Sequence, residues 1–209
     1  MFAPFPQLYP LTDVALSGLS HAQQVERLCE GGATLIQLRE KKLSTLEFYR
    51  QAEAALSVAR GRGARIIIND RVEVALALGA DGVHLGQDDL PPEAARRLLG
   101  ADAIIGFSTH NAEQARQAVK LPIDYLAIGP IFSTDTKPET APTVGLKGLR
   151  AVRLLTGTIP LVAIGGITEA NAHEVIAAGA DAVALISTLL SDPSQITQRT
   201  RIVLSSISK

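Results

Sequence analysis

Asp70 and Asp89 each stand just past a short apolar run, and the two runs follow one another in the chain. Residues 66–89 read I-I-I-N-D-R-V-E-V-A-L-A-L-G-A-D-G-V-H-L-G-Q-D-D. Residues 66–68 suit a strand covered on both faces, Val72–Leu78 a short helix stopped by Gly79, and 83–85 a second strand. One βαβ unit of this kind sets parallel strands side by side. Asp70 and Asp89 then share the carboxyl edge, where open α/β sheets and barrels keep their chemistry. Carboxylates held so close repel each other unless a cation sits between them. A hard, oxygen-seeking ion such as magnesium is the natural one. Either aspartate alone could equally be a helix N-terminal acid favoured by the dipole; their placement after consecutive strands points to a shared metal.

Other groups of chemical interest also follow apolar runs. Gln37, Arg39 and Lys41 are two residues apart and would share one face of a strand, with Ile36 and Leu38 on the other. An amide and two cations in such a place need an anionic or polar partner, unless Arg39 and Lys41 are surface charges beyond the strand. Ser108, Thr109 and His110 offer hydroxyls that could bind phosphate or cap a helix. The segment 129–145, G-P-I-F-S-T-D-T-K-P-E-T-A-P-T-V-G, is too long for a simple connection. Its Thr134, Thr136 and Lys137 suit phosphate oxygens, and it reads as a lid over an anionic substrate. Gly165-Gly166 and Ile186-Ser187 suit a phosphate held by bare amides and a helix N-terminus. His21 and His173 fall on helices and are expected at the surface. His84 lies inside a strand and is expected to be a hydrogen-bonded interior residue. No Ser/His/Asp or Cys/His set for covalent catalysis is present in the pattern.

The elements that must position these groups alternate regularly. Strands are predicted at Leu8–Thr12, 34–40, 66–68, 83–85, 103–107, 124–128, 160–164 and 181–186. Helices are predicted at His21–Glu30 behind Ser20, at 45–60 behind a Ser44/Glu47 capping box, and at Val72–Leu78. Others follow at Pro92–Leu99, at 112–119 behind Thr109 or Asn111, at 146–155, at 169–178 behind Thr168, and at 192–207. Gly32-Ala33, Gly79-Ala80-Asp81 and Gly179-Ala180-Asp181 repeat one helix-to-strand join. Eight units in 209 residues average about 26 residues each, near the short end for a single-domain (β/α)8 TIM barrel spanning 1–209. A doubly wound open sheet is the alternative, but no G-x-G-x-x-G follows the first strand.

Bulk properties exclude several classes. Net charge is −1, hydrophobic content 46% and charged content 20%. That leaves no electrostatic footprint for nucleic acid or an anionic membrane. The single cysteine, Cys29, cannot close an internal disulfide, which fits a reducing compartment. No apolar run reaches a membrane span, and the first residues lack the form of a signal peptide. A cytoplasmic protein acting on small molecules is expected, with a homo-oligomer left open.

Seven motifs stand in order between residues 8 and 190: Q-L-R-E-K at 37–41, I-N-D-R at 68–71, H-L-G-Q-D-D at 84–89, G-F-S-T-H at 106–110, G-P-I-F-S-T-D-T-K at 129–137, A-I-G-G-I at 163–167 and I-S at 186–187. Together they resemble the thiamine-phosphate synthase family. The resemblance implies a (β/α)8 barrel joining a hydroxymethylpyrimidine diphosphate to a thiazole phosphate, with Asp70 and Asp89 on magnesium. It implies that Gln37, Arg39, Lys41, Asn69, Ser108 and Lys137 bind the pyrimidine diphosphate, with Leu38 and Glu40 also counted among the substrate-binding residues. Thr134 and Thr136, flanking Asp135, would receive the thiazole phosphate with Gly166, Ile186 and Ser187. Arg39, Lys41, Ser108 and Lys137 would carry the catalysis.

This chemistry suits the residues. An aminopyrimidine spreads the positive charge left when its methylene carbon loses diphosphate, so the protein must stabilise a departing anion and needs no strong base. Diphosphate at about −3 plus two carboxylates, set against magnesium, Arg39, Lys41 and Lys137, comes to roughly neutral. Two rivals remain: a thiazole tautomerase on the same barrel using His110 for proton transfer, and a catalytically silent phosphate-ligand sensor.

Overall fold

The computed structural model describes residues 5–134 and 142–207. Eight parallel strands close on themselves: β1 (Leu8–Thr12), β2 (Leu35–Leu38), β3 (Arg65–Asn69), β4 (Gly82–Leu85), β5 (Ile104–Thr109), β6 (Tyr125–Ile128), β7 (Leu161–Ile164) and β8 (Ala182–Leu185). They pair in sequence order, and β8 pairs back onto β1 with Leu8 opposite Val183. Closure removes both sheet edges and rules out the open doubly wound sheet. The single-domain (β/α)8 barrel read from the alternation is therefore the fold.

Ten α-helices among the described residues surround it: α1 (Val14–Ser17), α2 (His21–Glu30), α3 (Thr45–Gly61), α4 (Val72–Leu78), α5 (Pro92–Leu99), α6 (Ala112–Ala118), α7 (Gly145–Thr156), α8 (Ala172–Ala177), α9 (Ser187–Leu190) and α10 (Ile196–Ile207). Ser20 and Ser44 cap α2 and α3 in reciprocal boxes with Gln23 and Glu47. Each box satisfies N–H groups that the first turn leaves without carbonyl partners. α10 packs against α2 and α8 and completes the outer ring.

Several expectations are narrowed or corrected. α6 is capped by Asn111, which accepts from the Gln114 amide at 2.9 Å, whereas Thr109 belongs to β5 and donates to the Ala127 carbonyl at 2.9 Å. α8 begins at Ala172 and not behind Thr168, because Asn171 turns back to accept from the Thr168 amide at 2.7 Å and holds a separate turn first. The tail is a 3-10 turn at Pro193–Gln195 before α10. α1 and α9, four residues each, were not anticipated. His21 is not a surface residue: it is fully buried, packed edge-on to Phe48.

Strand register sorts the side chains by face. Tyr9, Gln37, Asn69, His84, Gly106, Ser108 and Tyr125 lie on the barrel's inner face; Gly106 pairs with both His84 and Tyr125. Large inner residues need small ones opposite. A Cβ on Gly106 would stand 2.0 Å from Tyr125 Cζ, so glycine there makes the room that the tyrosine ring fills. Phe5 plugs the floor of the barrel, 5.2 Å from the Tyr125 ring.

At the amino rim one device recurs. Asp81, Asp124 and Asp181 each precede a strand and accept the amide of the strand before it: Ile66 at 2.8 Å, Ile105 at 2.7 Å and Leu161 at 2.7 Å. Arg96 clasps Asp124, and Arg153 clasps Asp181, both at 2.6 Å; each arginine also binds carbonyls just past its own helix. The Gly-Ala-Asp echo seen in the sequence is thus a strand-pairing clamp.

Candidate active site

At the carboxyl rim, β3 and β4 deliver Asp70 and Asp89 to one place, with the carboxylates within hydrogen-bonding reach of each other. Asp70 is held at φ 62°, the left-handed region that a non-glycine residue enters only under constraint. Its amide donates to the His84 carbonyl at 2.8 Å, which anchors the turn to β4. Asp89 accepts from the Gly86 amide at 2.6 Å. Partial burial pushes the Asp89 carboxyl above its ordinary value; the Gly86 amide opposes this, and the Asp70 carboxylate adds to it. The Lys41 ammonium lies on the Asp70 carboxylate. Among the described residues no third His, Cys, Asp or Glu joins the pair to make a metal cluster.

β2 ends at Leu38, so Arg39 and Lys41 project from the loop beyond it and only Gln37 shares the inner strand face. Arg39 is fixed nonetheless: its guanidinium donates to Asp13 at 2.9 Å, while Asp13 also caps α1 through the Leu16 amide at 3.0 Å. The Arg39 amide donates to the Thr12 hydroxyl at 3.3 Å, and His21 Nδ1 lies 2.7 Å from the same hydroxyl. Burial lowers the His21 pKa to about 4 against the pull of Glu40. Glu40 accepts the amides of Lys42 and Leu43 at 2.6 and 3.2 Å, so its carboxylate shapes the loop. Leu38 is fully buried. Asp13 and Thr12 were missed as site residues; an acid directly after the first strand was the available signal.

Deeper in the mouth, two buried polar atoms have no hydrogen-bond partner among the described residues: the acceptor Gln37 Oε1 and the donor Asn69 Nδ2. Burying such atoms unpaired is costly, so their presence marks where a ligand's donor and acceptor would fit. Beside them His84 joins Tyr125 and Ser108, each at 2.8 Å, which bears out its reading as an interior residue. His110 Nδ1 lies 2.7 Å from the Gly129 carbonyl.

The opposite side of the mouth is built from backbone. Ile131 and Phe132 donate to the carbonyls of Ile164 and Gly165 at 2.9 and 3.0 Å, pressing the loop after β6 onto the one after β7. Gly166 sits at φ 64°, and a Cβ there would stand 2.5 Å from the Ser133 carbonyl oxygen. After β8, Ile186 leads into α9, so Ser187 opens a helix, and Thr188 ties α9 to the Ile167 carbonyl at 2.7 Å. The loops that carry Gly166, Ile186 and Ser187 are thereby tied to one another, and Thr134 is the last described residue of the loop after β6. Asp135, Thr136 and Lys137 lie outside the described residues. A groove of about 770 Å³ at the amino rim is not the site. Its charged pair, Arg153 and Asp181, is already committed to each other and to backbone.

A closed parallel barrel whose carboxyl rim gathers an acid pair, cations held by acids and an amide-lined corner has the build of a barrel enzyme acting on small molecules. A family model described as thiamine monophosphate synthase matches residues 8–189. The thiamine-phosphate synthase of Chloroflexus aurantiacus is 50% identical over 186 residues, covering 88% of this chain and 85% of that one. That of Albidiferax ferrireducens is 46% identical over 204 residues, covering 96% and 93%. The solved thiamine phosphate pyrophosphorylase of Pyrococcus furiosus superposes with a TM-score of 0.88 at 37% identity, covering 97% of this chain and 96% of that one. The chain belongs to the thiamine monophosphate synthase family. It is a transferase of thiamine biosynthesis, and its reaction yields thiamine phosphate. No helix among the described residues is long and apolar enough to cross a membrane.

Proposed function

We propose that the two partners joined are a 4-amino-2-methylpyrimidine carrying a diphosphooxymethyl group and a thiazole phosphate, with diphosphate as the leaving group. The observation that carries this reading is the unpaired buried couple, Gln37 Oε1 and Asn69 Nδ2. An aminopyrimidine presents an exocyclic N–H donor and ring-nitrogen acceptors, the complement of that couple. Arg39, pinned by Asp13, and Lys41, on the Asp70 carboxylate, stand on the loop after β2 and would meet the diphosphate; Lys137 belongs to the same group by the family resemblance. Ser108 donates to the same region. Gly166, Ile186 and Ser187, with Thr134 and Thr136, hold the thiazole phosphate against amides and a helix N-terminus.

The acid pair fits magnesium. Two carboxylates, with no third His, Cys, Asp or Glu beside them among the described residues, would leave most of an octahedral shell for water and diphosphate oxygens, the way this ion is usually held beside phosphate. When bound, the ion neutralises charge developing on the leaving diphosphate. The chain's own residues do the rest. Arg39 and Lys41 stabilise the departing anion, Gln37 and Asn69 hold the ring so its exocyclic carbon faces the thiazole nitrogen, and no side chain needs to act as a strong base. We place the reaction in the cytoplasm, in keeping with the single unpaired Cys29.

The test mixes both substrates with the protein and follows diphosphate release. Release that requires both substrates and magnesium, and stops with excess chelator, is the expected result. Release undiminished by chelator would remove the metal from the reading. Proton exchange on the thiazole phosphate alone would favour the tautomerase, although His110 Nδ1 is occupied by the Gly129 carbonyl.

A further inference from the structure

A chain of five polar side chains crosses the barrel interior. Gln37 Nε2 lies 3.1 Å from the Tyr9 hydroxyl, Tyr9 lies 2.8 Å from the Tyr125 hydroxyl, Tyr125 lies 2.8 Å from His84 Nδ1, and His84 Nε2 lies 2.8 Å from Ser108 Oγ. Gln37, Tyr9, Tyr125 and His84 are buried, and Ser108 is the half-buried outer end. The His84 and Tyr125 rings are tilted only 20° apart, with centroids 5.4 Å apart, and Gly106 leaves the space that the phenol occupies. Burial raises both phenols well above their ordinary range, so both keep their hydrogens.

We propose that Gln37, Tyr9, Tyr125 and His84 form a one-way hydrogen-bond chain that holds His84 in its Nε2–H tautomer and leaves the Ser108 hydroxyl as a donor toward the substrate. Each step follows from the one before. The Gln37 amide nitrogen can only donate, so Tyr9 accepts there and gives its single hydrogen to Tyr125. Tyr125 gives its own to Nδ1. A neutral imidazole then carries its hydrogen on Nε2 and donates to Ser108 Oγ. Among the described residues Ser108 Oγ meets no acceptor, so its hydrogen remains for the ligand. Turning the Gln37 amide over would reverse every bond. His84 would take the Ser108 hydrogen, and the hydroxyl would offer a departing diphosphate only lone pairs.

Under the reading above, the substrate enforces the outward direction. Gln37 Oε1 faces the exocyclic amine; the reversed amide would set donor against donor. Recognition of the pyrimidine and donation to the leaving group are thereby linked through the core. Tyr9, Tyr125 and His84 are positioning residues, and Ser108 is the group that touches substrate.

The test reads the His84 ring nitrogens by ¹⁵N NMR in histidine-labelled full-length protein without substrate, the ring being assigned by its contacts to Tyr125. A protonated Nε2 with an unprotonated Nδ1 is expected; a protonated Nδ1 overturns the proposal. Tyr125→Phe keeps the ring and removes the donor to Nδ1. It should erase the tautomer preference and lower kcat for diphosphate release by up to roughly 100-fold, the scale of a misplaced reacting contact, with KM for the pyrimidine diphosphate nearly unchanged. Ser108→Ala should absorb that loss, so that the double variant is no slower than Ser108→Ala alone; independent losses overturn the proposal. The tautomer is read without substrate, so a wrong substrate assignment shows only in the diphosphate assay and a wrong chain direction in the spectrum.

Discussion

The two rims of the barrel use aspartate in opposite ways. At the amino rim, Asp81, Asp124 and Asp181 each take a strand amide, and two of them also take an arginine. At the carboxyl rim, Asp70 and Asp89 face each other, and Asp70 does so from a left-handed backbone. The first arrangement lowers energy by matching every charge to a donor. The second keeps two carboxylates against each other on a left-handed backbone, offset in part by Lys41 on Asp70 and the Gly86 amide on Asp89, and a cation or an anionic substrate carrying one would relieve the rest. Stability is thus gathered at one end and spent at the other, the division expected of this architecture.

The sharpest way to break this comparison is to remove the repelling pair. Asp70→Ala and Asp89→Ala should each cut diphosphate release by at least ~10²–10³, the scale of losing one well-placed group at a developing charge. If both hold one ion, as proposed, the double variant should be little worse than either single one. Thermal melts of the metal-free variants should match or exceed the parent. Additive losses in activity, or a clear fall in melting temperature, would place these aspartates with their amino-rim counterparts.

Asp13→Asn tests a carboxyl-rim acid that serves to fix a cation. It keeps much of the α1 cap but weakens the hold on Arg39, whose pair with Asp13 is mostly buried. KM for the pyrimidine diphosphate should rise on the order of tenfold, within the range of one charge-assisted hydrogen bond at about 1.5–3 kcal/mol. Steady-state kinetics showing an unchanged KM would mean Arg39 holds its place without help.

At the amino rim, Asp124→Ala and Asp181→Ala should leave kcat unchanged and cost about 1–3 kcal/mol each, chiefly because the Ile105 and Leu161 amides lose their acceptor. The half-exposed ion pairs themselves add little. The two clamps join different strand pairs, so their costs should add in a denaturant titration. That additivity is the counterpart of the non-additivity expected across the mouth.

These contrasts were unevenly legible in the chain itself. The acid pair could be found because β3 and β4 are consecutive, so nearness in space followed from nearness in sequence. The Ser20 and Ser44 boxes could be found because a cap is a local bond. His21 was misplaced because its burial depends on Thr12 and Phe48, from other elements. Tyr9 and Tyr125 gave no signal: they meet only once the barrel closes, 116 residues apart in the chain. The Gly-Ala-Asp echo was noticed as a turn, but the role of its aspartate emerges only when the neighbouring strand brings its amide. α9 is too short for any periodicity, yet it is what gives Ser187 a helix N-terminus.

The smallest expected effect concerns pH. In metal-free protein the Asp89 carboxyl is pushed up by partial burial, with Asp70 adding to the shift. A carboxyl whose folded pKa lies above its unfolded value, about 3.9, binds its proton more tightly when folded. Its contribution to stability is therefore full below the unfolded value and lost as pH rises through the folded one. His21 runs the other way: with its pKa lowered to about 4, its contribution is present above about 6.5 and lost as pH falls toward the folded value. Both slopes fall in the acid range, so the stability difference between parent and Asp89→Asn is the useful quantity, since His21 cancels from it. In chelator, Asp89→Asn should gain on the parent as pH rises from the unfolded value, about 3.9, through the raised folded one. Saturating magnesium should raise the parent's melting temperature and reverse that order, because an ion bound only to the folded chain stabilises it by mass action. A difference that stays flat with pH, with no response to magnesium, would mean the carboxyl rim stores no repulsion for a cation to relieve.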